Sequence, residues 1–496
     1  MEEENNSLKD IIKFRKDKLI QIRNAGIEPY AYNFDKKHSI RDINNPSLIG
    51  KTVSIAGRMV SFRKMGKASF AHLQDQDGRI QIYFKNDLLK ENVYENLVKN
   101  LDLGDIIGIS GELFNTKLGE LTVKVYELTL LSKNIRPLPN MKEKDGESFN
   151  SFEDKELRYR HRQLDLIANP DIKNIFIKRS QIITALRSYL DKNKYLEVET
   201  PVLQPIYGGA SAKPFKTFHN SLDQLFYLRI ADELYLKRLI IGGFEKVYEI
   251  AKNFRNEGMD KNHNPEYTSL EFYSAYSDIF DMMSFTEELI RYVAVFTGCD
   301  KLNYDGNSIN LNKPFIKKSM FDLIEEYAGK NVSSMKKEAL YEFALTLDLD
   351  IDKKMNYGQI LDEIFSKSVE PMLIQPTFVT DYPKAISPLA KSHRNGDENI
   401  VERFELFISG MEFANAFSEL NDPVEQRERL ESQVLLRDLG DEEAQVLDEN
   451  FIQAMEVGMP PTGGVGIGVD RLVMLLVNKL SIKDVILFPA LRNDGK

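Results

Sequence analysis

The chain has 496 residues, 42% of them hydrophobic and 29% charged, with a formal net charge of −10; that length covers about two to four domains, and the composition is that of an ordinary globular protein. A single cysteine, Cys299, excludes a disulfide framework and any multi-cysteine zinc or iron–sulfur site, and the six histidines show no HExxH-type spacing. No apolar run of roughly eighteen residues exists to span a membrane, and the acidic, polar opening MEEENNSLKD lacks the basic-then-apolar pattern of a secretion signal, so a cytoplasmic protein is expected.

Charge is uneven along the chain. Residues 1–135 hold 21 Lys and Arg against 18 Asp and Glu, a net of +3, whereas residues 136–496 hold 45 against 58, a net of −13. Positive charge concentrates in residues 9–23 and 51–85. The overall acidity argues against a nucleic-acid partner, but a basic module on an acidic body reverses that reading for the N-terminal part.

In chain order, Leu8, Ile11, Ile12, Leu19 and Ile22 recur at helical spacing among lysines and arginines, predicting a basic amphipathic helix over 8–24. From 51 to 131 the pattern becomes five short alternating runs separated by Gly and Asp, with one helical segment at 88–100. That count suits a small closed barrel; an oligonucleotide-binding barrel fits best, and composition does not separate it from other small barrels. Arg136-Pro137-Leu138-Pro139 and the polar stretch after it read as a linker. Helices are predicted at about 154–166 and 171–193, strands at 245–257, 266–276, 375–380, 401–408 and 411–418, and a helical insertion at about 281–370.

Three segments carry chemistry. Residues 247–276 read as two strands joined by a polar loop. Strand periodicity puts Arg255 and Glu257 on one face, and Tyr267, Ser269, Glu271 and Tyr273 on another common face. Buried in a cleft, these charges need partners, which a ligand bearing both phosphate and ammonium groups supplies. In residues 403–419, Ser409-Gly410 between apolar runs predicts a hairpin that sets Glu405 and Glu412 diagonally on one face. With no basic neighbour expected there, two carboxylates favour a divalent cation, and oxygen-only ligation suits Mg²⁺. The same register places Asn415 on the opposite face unless a bulge intervenes. Residues 463–476, GGVGIGVDRLVMLL, run a GxGxG strand into a helix and let backbone and Arg471 approach a flat or anionic group. This is not the GxGxxG of dinucleotide folds, and too little chain follows it for a Rossmann unit.

Together the segments resemble the signature motifs of class II aminoacyl-tRNA synthetases: YLEVETPVLQP (195–205) is similar to motif 1, FRNE with its loop and the strand to Glu271 to motif 2, and the glycine-rich stretch with Arg471 to motif 3. GGASAKPF, IADELYLKRL, LEFY and FANAFSELND resemble bacterial-type lysyl-tRNA synthetases over nearly the whole chain. The resemblance implies an α+β protein. Residues 1–50 form a basic helix and lead-in, 51–135 an anticodon-binding barrel, 136–160 a linker, and 161–496 a catalytic domain on an antiparallel sheet flanked by helices.

It implies as partners ATP, L-lysine, tRNA(Lys) and a second subunit in a homodimer, with no DNA and no membrane, and as cofactor about three Mg²⁺ ions per subunit. Arg255 is then expected on the α-phosphate and the lysine carboxylate, with Arg255 and Arg471 as the catalytic cations. Glu257 is expected on the adenine amino group, His263 on the terminal phosphates, and Tyr267 and Arg471 around the adenine ring. The family usually carries Phe where Tyr267 stands, and Tyr keeps the stacking face. Glu405 and Glu412 are expected to hold Mg²⁺, with Glu405 also at the ATP. Gly209 and Glu233 would receive the α-amino group and Asn415 the carboxylate region. Glu271, Tyr273 and Glu419 would surround the ε-ammonium. Arg58, Phe70, Gln81 and Glu127 match the anticodon-reading positions, and basic residues of the first helix would add phosphate contacts. A non-catalytic descendant of such a scaffold would first lose Arg255, Glu405, Glu412 or Arg471, and all four are present.

Overall fold

The structure is a computed structural model and describes residues 2–139, 141–144, 147–150, 152–299, 301–440 and 442–493. It divides into two compact units, Met1–Glu153 and Asp154–Lys496. The boundary falls inside the expected linker, part of which is regular: a hairpin pairs Met141–Lys144 with Glu147–Asn150, and Lys155–Arg160 is helical.

In the first unit, helix α1 (Glu2–Asn24) begins before the apolar stripe does. Ile22 is buried, but Ile11 is 39% exposed, and basic residues take part in the packing. Arg15 donates to the side-chain oxygen of Asn134, and Lys18 pairs with Asp102 at 2.5 Å. Lys9, Lys13, Lys16 and Arg23 remain exposed. Strands β1 (Thr52–Met65), β2 (Ala68–Gln74), β3 (Arg79–Lys85), β4 (Ile106–Asn115) and β5 (Leu121–Ser132) close a barrel in the order β1-β2-β3-β5-β4. Their alternation is the cause: Ala71, Leu73, Ile80, Ile82, Ile109 and Val123 point inward and are buried. Phe70, His72, Gln81 and Tyr83 are left on the outer face.

The second unit is built on an eight-stranded sheet. Its elements are α2 (Ile172–Lys192), β6 (Leu196–Glu197), α3 (Glu233–Ile241), β7 (Lys246–Phe254), β8 (Glu266–Ala275), α4 (Ile279–Phe296), β9 (Ile316–Ser319), α5 (Tyr357–Ser368), β10 (Thr377–Pro383), β11 (Ile400–Ile408), β12 (Met411–Ser418), β13 (Thr462–Gly468) and α6 (Val469–Leu476). The strand order is β9-β10-β11-β12-β13-β8-β7-β6. The sheet is antiparallel at its centre, as expected, but mixed overall, because the edge pairs β9–β10 and β7–β6 are parallel. One face packs on α2, α4 and α6 through Ile182, Met282, Ile290, Val473, Leu270 and Phe272, all buried in one core. Each such side chain contributes about 1.5–3 kcal/mol by leaving water. The opposite face of the central strands carries Ser269, Glu271 and Tyr273 and forms the floor of a cavity.

The stretch at 281–370 is not a uniform helical insertion. Asp278 caps α4 with a reciprocal capping box, and α4 packs into the sheet core. A hairpin follows (Lys301–Tyr304 with Asn307–Asn310), then the edge strand β9. The helices Met320–Ala328, Lys337–Thr346 and α5 pack Leu323, Leu340 and Ile360 into a second core that also holds Val379 and Tyr382 of β10 and Val401 and Phe407 of β11. The hairpin strands and β9 are four residues long and rich in Lys and Asn, so the alternation of buried Leu302 and Tyr304 about exposed Asn303 is too brief to stand out in the sequence.

Candidate functional site

Strands β8, β11, β12 and β13, the starts of α3 and α6 and the loop after β7 surround a cavity of about 490 Å³, within the range of small-molecule sites. Every residue expected at ATP, lysine or metal lines it.

At one end sits Arg255. It lies just past the end of β7 rather than on the strand, and its backbone N–H donates to Pro265 at 2.9 Å. Arg255 and Glu257 therefore do not share a strand face; the loop, not the pleat, aims them. The Arg255 guanidinium lies 5.3 Å over the Tyr267 ring, and its Nε is buried with no hydrogen-bond partner. Burial alone would weaken its charge, but Tyr267, Glu257, Glu412 and Glu271 around it outweigh that and keep it ionised. A buried donor without a partner beside an open cavity is a built anion site.

On the facing side, Arg471 stands in the first turn of α6. It donates to the Glu412 carbonyl at 2.6 Å and to the Glu412 carboxylate at 3.3 Å. Its other nitrogen faces His263 Nε2 at 3.4 Å, and His263 Nδ1 is held by Asp260 at 2.8 Å. Asp470 fixes the junction by accepting the Thr268 backbone N–H at 2.7 Å and pairing with Arg179 at 2.5 Å.

The hairpin β11–β12 turns at Ser409 and Gly410, both with positive φ (53° and 71°), as a two-residue turn of primed type requires. The register shifts between Leu406 and Phe407: Phe407 faces Glu412, but Leu406 faces Ala414. This bulge brings Glu405, Glu412 and Asn415 to one cavity despite their spacing. The expected absence of a basic neighbour is overturned. Arg403, two residues before Glu405 on the same face, donates to Glu405 at 2.5 Å and to Asn415 at 3.0 Å. Tyr382 donates to the other oxygen of Glu405 at 2.8 Å.

Burial, with Glu412 and Asp362 nearby, still pushes the Glu405 carboxyl up to about 7 against the pull of Arg403. Among the described residues no three or more His, Cys, Asp and Glu gather as a metal-holding group. Two glutamates whose negative charges crowd each other still fit Mg²⁺, whose remaining positions phosphates and water fill.

The other end of the cavity is acidic. Gly209, at φ +85°, approaches so closely that a Cβ there would lie 3.0 Å from that of Glu233. Glu271 and Tyr273 sit on β8 with Glu419 just past β12, and Tyr273 donates to Glu271 at 3.0 Å. Burial and the charge of Asp232 raise the Glu271 carboxyl well above its usual range, and burial lifts Asp232 to about 6. The two carboxyls crowd each other in a buried setting, which favours a cationic ligand beside them. Glu419 is pushed up to about 8 by burial, which Lys237 opposes and Glu233 reinforces. The glycine-rich β13 makes room for this group: a Cβ on Gly464 would lie 2.1 Å from Glu419 Oε1 and 2.5 Å from the Tyr273 ring.

In the barrel unit, Phe70 packs against Tyr83 with the rings tilted by 37° (4.7 Å between ring centroids) on the outer face, so it is not a core residue. Gln81 shares that face: its amide donates to Glu120 at 2.6 Å and accepts from Thr122 at 2.8 Å. Glu120 in turn meets His72 at 3.1 Å. Arg58 lies on β1 with its guanidinium donating to the Gly104 carbonyl at 2.7 Å, and Glu127 is exposed on β5 with Lys90 4.0 Å away.

Sequence reasoning missed Arg403, Tyr382, Asp232 and Lys237. Arg403 was readable from the two-residue strand period and Lys237 from its position four residues after Glu233 on a helix. Nothing in the local pattern marks Tyr382 or Asp232.

The sequence profile described as tRNA synthetases class II (D, K and N) matches residues 154–492, and the one described as OB-fold nucleic acid binding domain matches residues 53–131. A protein named Lysine--tRNA ligase from Carboxydothermus hydrogenoformans is 50% identical over 493 residues, covering 99% of each chain. One of the same name from Moorella thermoacetica is 50% identical over 487 residues, 97% of this chain and 98% of its own. Another, from Christiangramia forsetii, is 50% identical over 492 residues, 98% of this chain and 86% of its own. With the sheet order, the cavity and these matches in agreement, the chain belongs to the class II tRNA synthetases of the D, K and N group and, within that group, to the lysine–tRNA ligases.

Proposed function

We propose that the chain activates L-lysine with ATP to lysyl-adenylate and pyrophosphate, and then esterifies lysine to the terminal adenosine of tRNA(Lys). The observation that carries this reading is one cavity with an arginine whose buried Nε has no partner at one end and a cluster of buried carboxylates at the other. That polarity matches a ligand with a polyphosphate and an ammonium group.

The lysine carboxylate is the nucleophile and is ionised at neutral pH, so the first step needs no general base. Catalysis then rests on positioning and on stabilising charge as it develops. Arg255 holds the α-phosphate and the attacking carboxylate together. Glu257 takes the adenine amino group, Tyr267 and Arg471 its two faces, and His263 the terminal phosphates. Glu405 and Glu412 hold Mg²⁺, which when bound neutralises the phosphates. Gly209 and Glu233 receive the α-amino group, Asn415 lies at the carboxylate, and Glu271, Tyr273 and Glu419 receive the ε-ammonium. Leaving such carboxylates unpaired penalises uncharged competitors.

Residues 51–135 read the anticodon, with Phe70 and Tyr83 as a stacking platform and Gln81, Arg58 and Glu127 on base edges. The exposed lysines of α1 meet phosphates, residues 136–160 link the parts, and residues 161–496 carry catalysis. Phe70→Ala should raise the KM for tRNA by about 5- to 100-fold, the loss of one base stack, with lysine activation unchanged. Aminoacylation and pyrophosphate exchange measured side by side check this, and equal loss in both would make Phe70 structural.

We assign a homodimer built on the stretch at 195–205. Leu196 (48%) and Leu203 (48%) are exposed there, which a subunit interface covers. Light scattering should return twice the 57.1 kDa of the chain, and a monomer mass would refute the assignment. No helix of the described residues is long and apolar enough to cross a membrane, and a cytoplasmic location accords with the reaction. The whole reading is tested by charging tRNA with labelled lysine: ATP-dependent, acid-precipitable label is expected, and none would overturn it.

A further inference from the structure

Lys237 lies on α3, one turn after Glu233, and its side chain is fully buried. Its ammonium pairs with Glu233 Oε1 at 2.5 Å and with Glu419 Oε2, and it sits 5.4 Å over the Phe417 ring. Glu233 and Glu419 line the cavity and Lys237 does not, so the ammonium stands behind them. Glu419 Oε1 is buried without a hydrogen-bond partner, on the side of Gly464 and Tyr273.

We propose that Lys237 is a specificity-determining positioning residue: it takes one oxygen from each of Glu233 and Glu419, leaves the other oxygen of each to the ligand, and trims the pocket's negative charge to what one bound lysine can balance. This rests on the lysine-activating reading above and deepens it.

The charge count supports the role. Around these two carboxylates stand Asp232 ahead of α3, Glu271 and Tyr273 on β8, and Arg403 on β11. Burial lowers the tendency of Lys237 to hold its proton, and Glu233 and Glu419 more than restore it, so the ammonium persists. Without it, Glu233 and Glu419 would repel each other, and the Glu419 carboxyl, already raised by burial, would keep its proton to still higher pH and act as a donor rather than an acceptor.

The test compares the full chain with its Lys237→Met and Lys237→Gln variants, in lysine-dependent ATP–pyrophosphate exchange, over about pH 6.5 to 9. In both variants the KM for lysine should rise about tenfold or more while the KM for ATP stays within about threefold. Ionising the trapped carboxyl requires higher pH once its cation is gone. The pH at which lysine KM falls should therefore move up by about one unit or more, which loss of packing alone would not do. Unchanged lysine KM in either folded variant overturns the proposal, as does an equal rise for ATP and lysine without a pH shift. Failure of both variants to fold would assign Lys237 to the fold and overturn it too. Absence of lysine-dependent exchange in the parent would instead refute the underlying reading.

Discussion

Arg255→Ala should lower lysine-dependent ATP–pyrophosphate exchange by about 10²- to 10³-fold or more, the scale on which single preorganised donors act at developing charge. Arg255 is half-buried, held ionised by its neighbours and set over the Tyr267 ring, yet its buried Nε has no protein partner. A buried donor left without a partner is costly, and an anion arriving in the cavity offers it one. Removing the guanidinium should spare the fold, because no structural hydrogen bond of its Nε is lost. Near-normal exchange in a folded variant would show that another group holds the α-phosphate.

Gly464→Ala should raise the KM for lysine about 100-fold or abolish activation, with ATP binding retained. A methyl group at that position would sit 2.1 Å from Glu419 Oε1 and 2.5 Å from the Tyr273 ring. Both neighbours are buried, so neither can swing into solvent, and overpacking of this kind costs about 1–3 kcal/mol or more. Displacing Glu419 also disturbs Lys237, its ion-pair partner. Gly466→Ala serves as the folding control, since its Cβ would meet Glu271 Cγ at an ordinary 3.7 Å, and it should melt with the parent. Exchange kinetics and nucleotide binding on Gly464→Ala decide the matter; an unaltered lysine KM would mean that Glu419 does not face the ligand.

Much of this architecture was legible in the sequence, for identifiable reasons. The barrel strand β2 alternates cleanly because one face is buried and the other is wet, and the cavity face of β8 was readable because Tyr267, Ser269, Glu271 and Tyr273 fall on every second position. The hairpin at Ser409-Gly410 was readable because Gly410 takes one of the two positive φ angles of the turn at no steric cost, between two apolar runs. What stayed hidden depends on chain neighbours far apart in sequence. Arg255 and Glu257 look like strand residues, but the β7 ladder ends at Phe254. The bulge beside Glu412, which brings Asn415 to the site, reflects packing of Phe413 in the sheet core rather than any local signal. Arg403 was overlooked although the strand period placed it beside Glu405. The edge strand β9 is short and polar, and a parallel partner more than fifty residues later in the chain alone makes it a strand.

The central claim, one cavity selective for lysine and ATP together, is tested most directly by ATP–pyrophosphate exchange on the purified chain with each of the twenty amino acids in turn. Exchange should depend on lysine and stay near background with the other nineteen, arginine among them. Exchange driven equally well by aspartate or asparagine, or none with any amino acid, would contradict it.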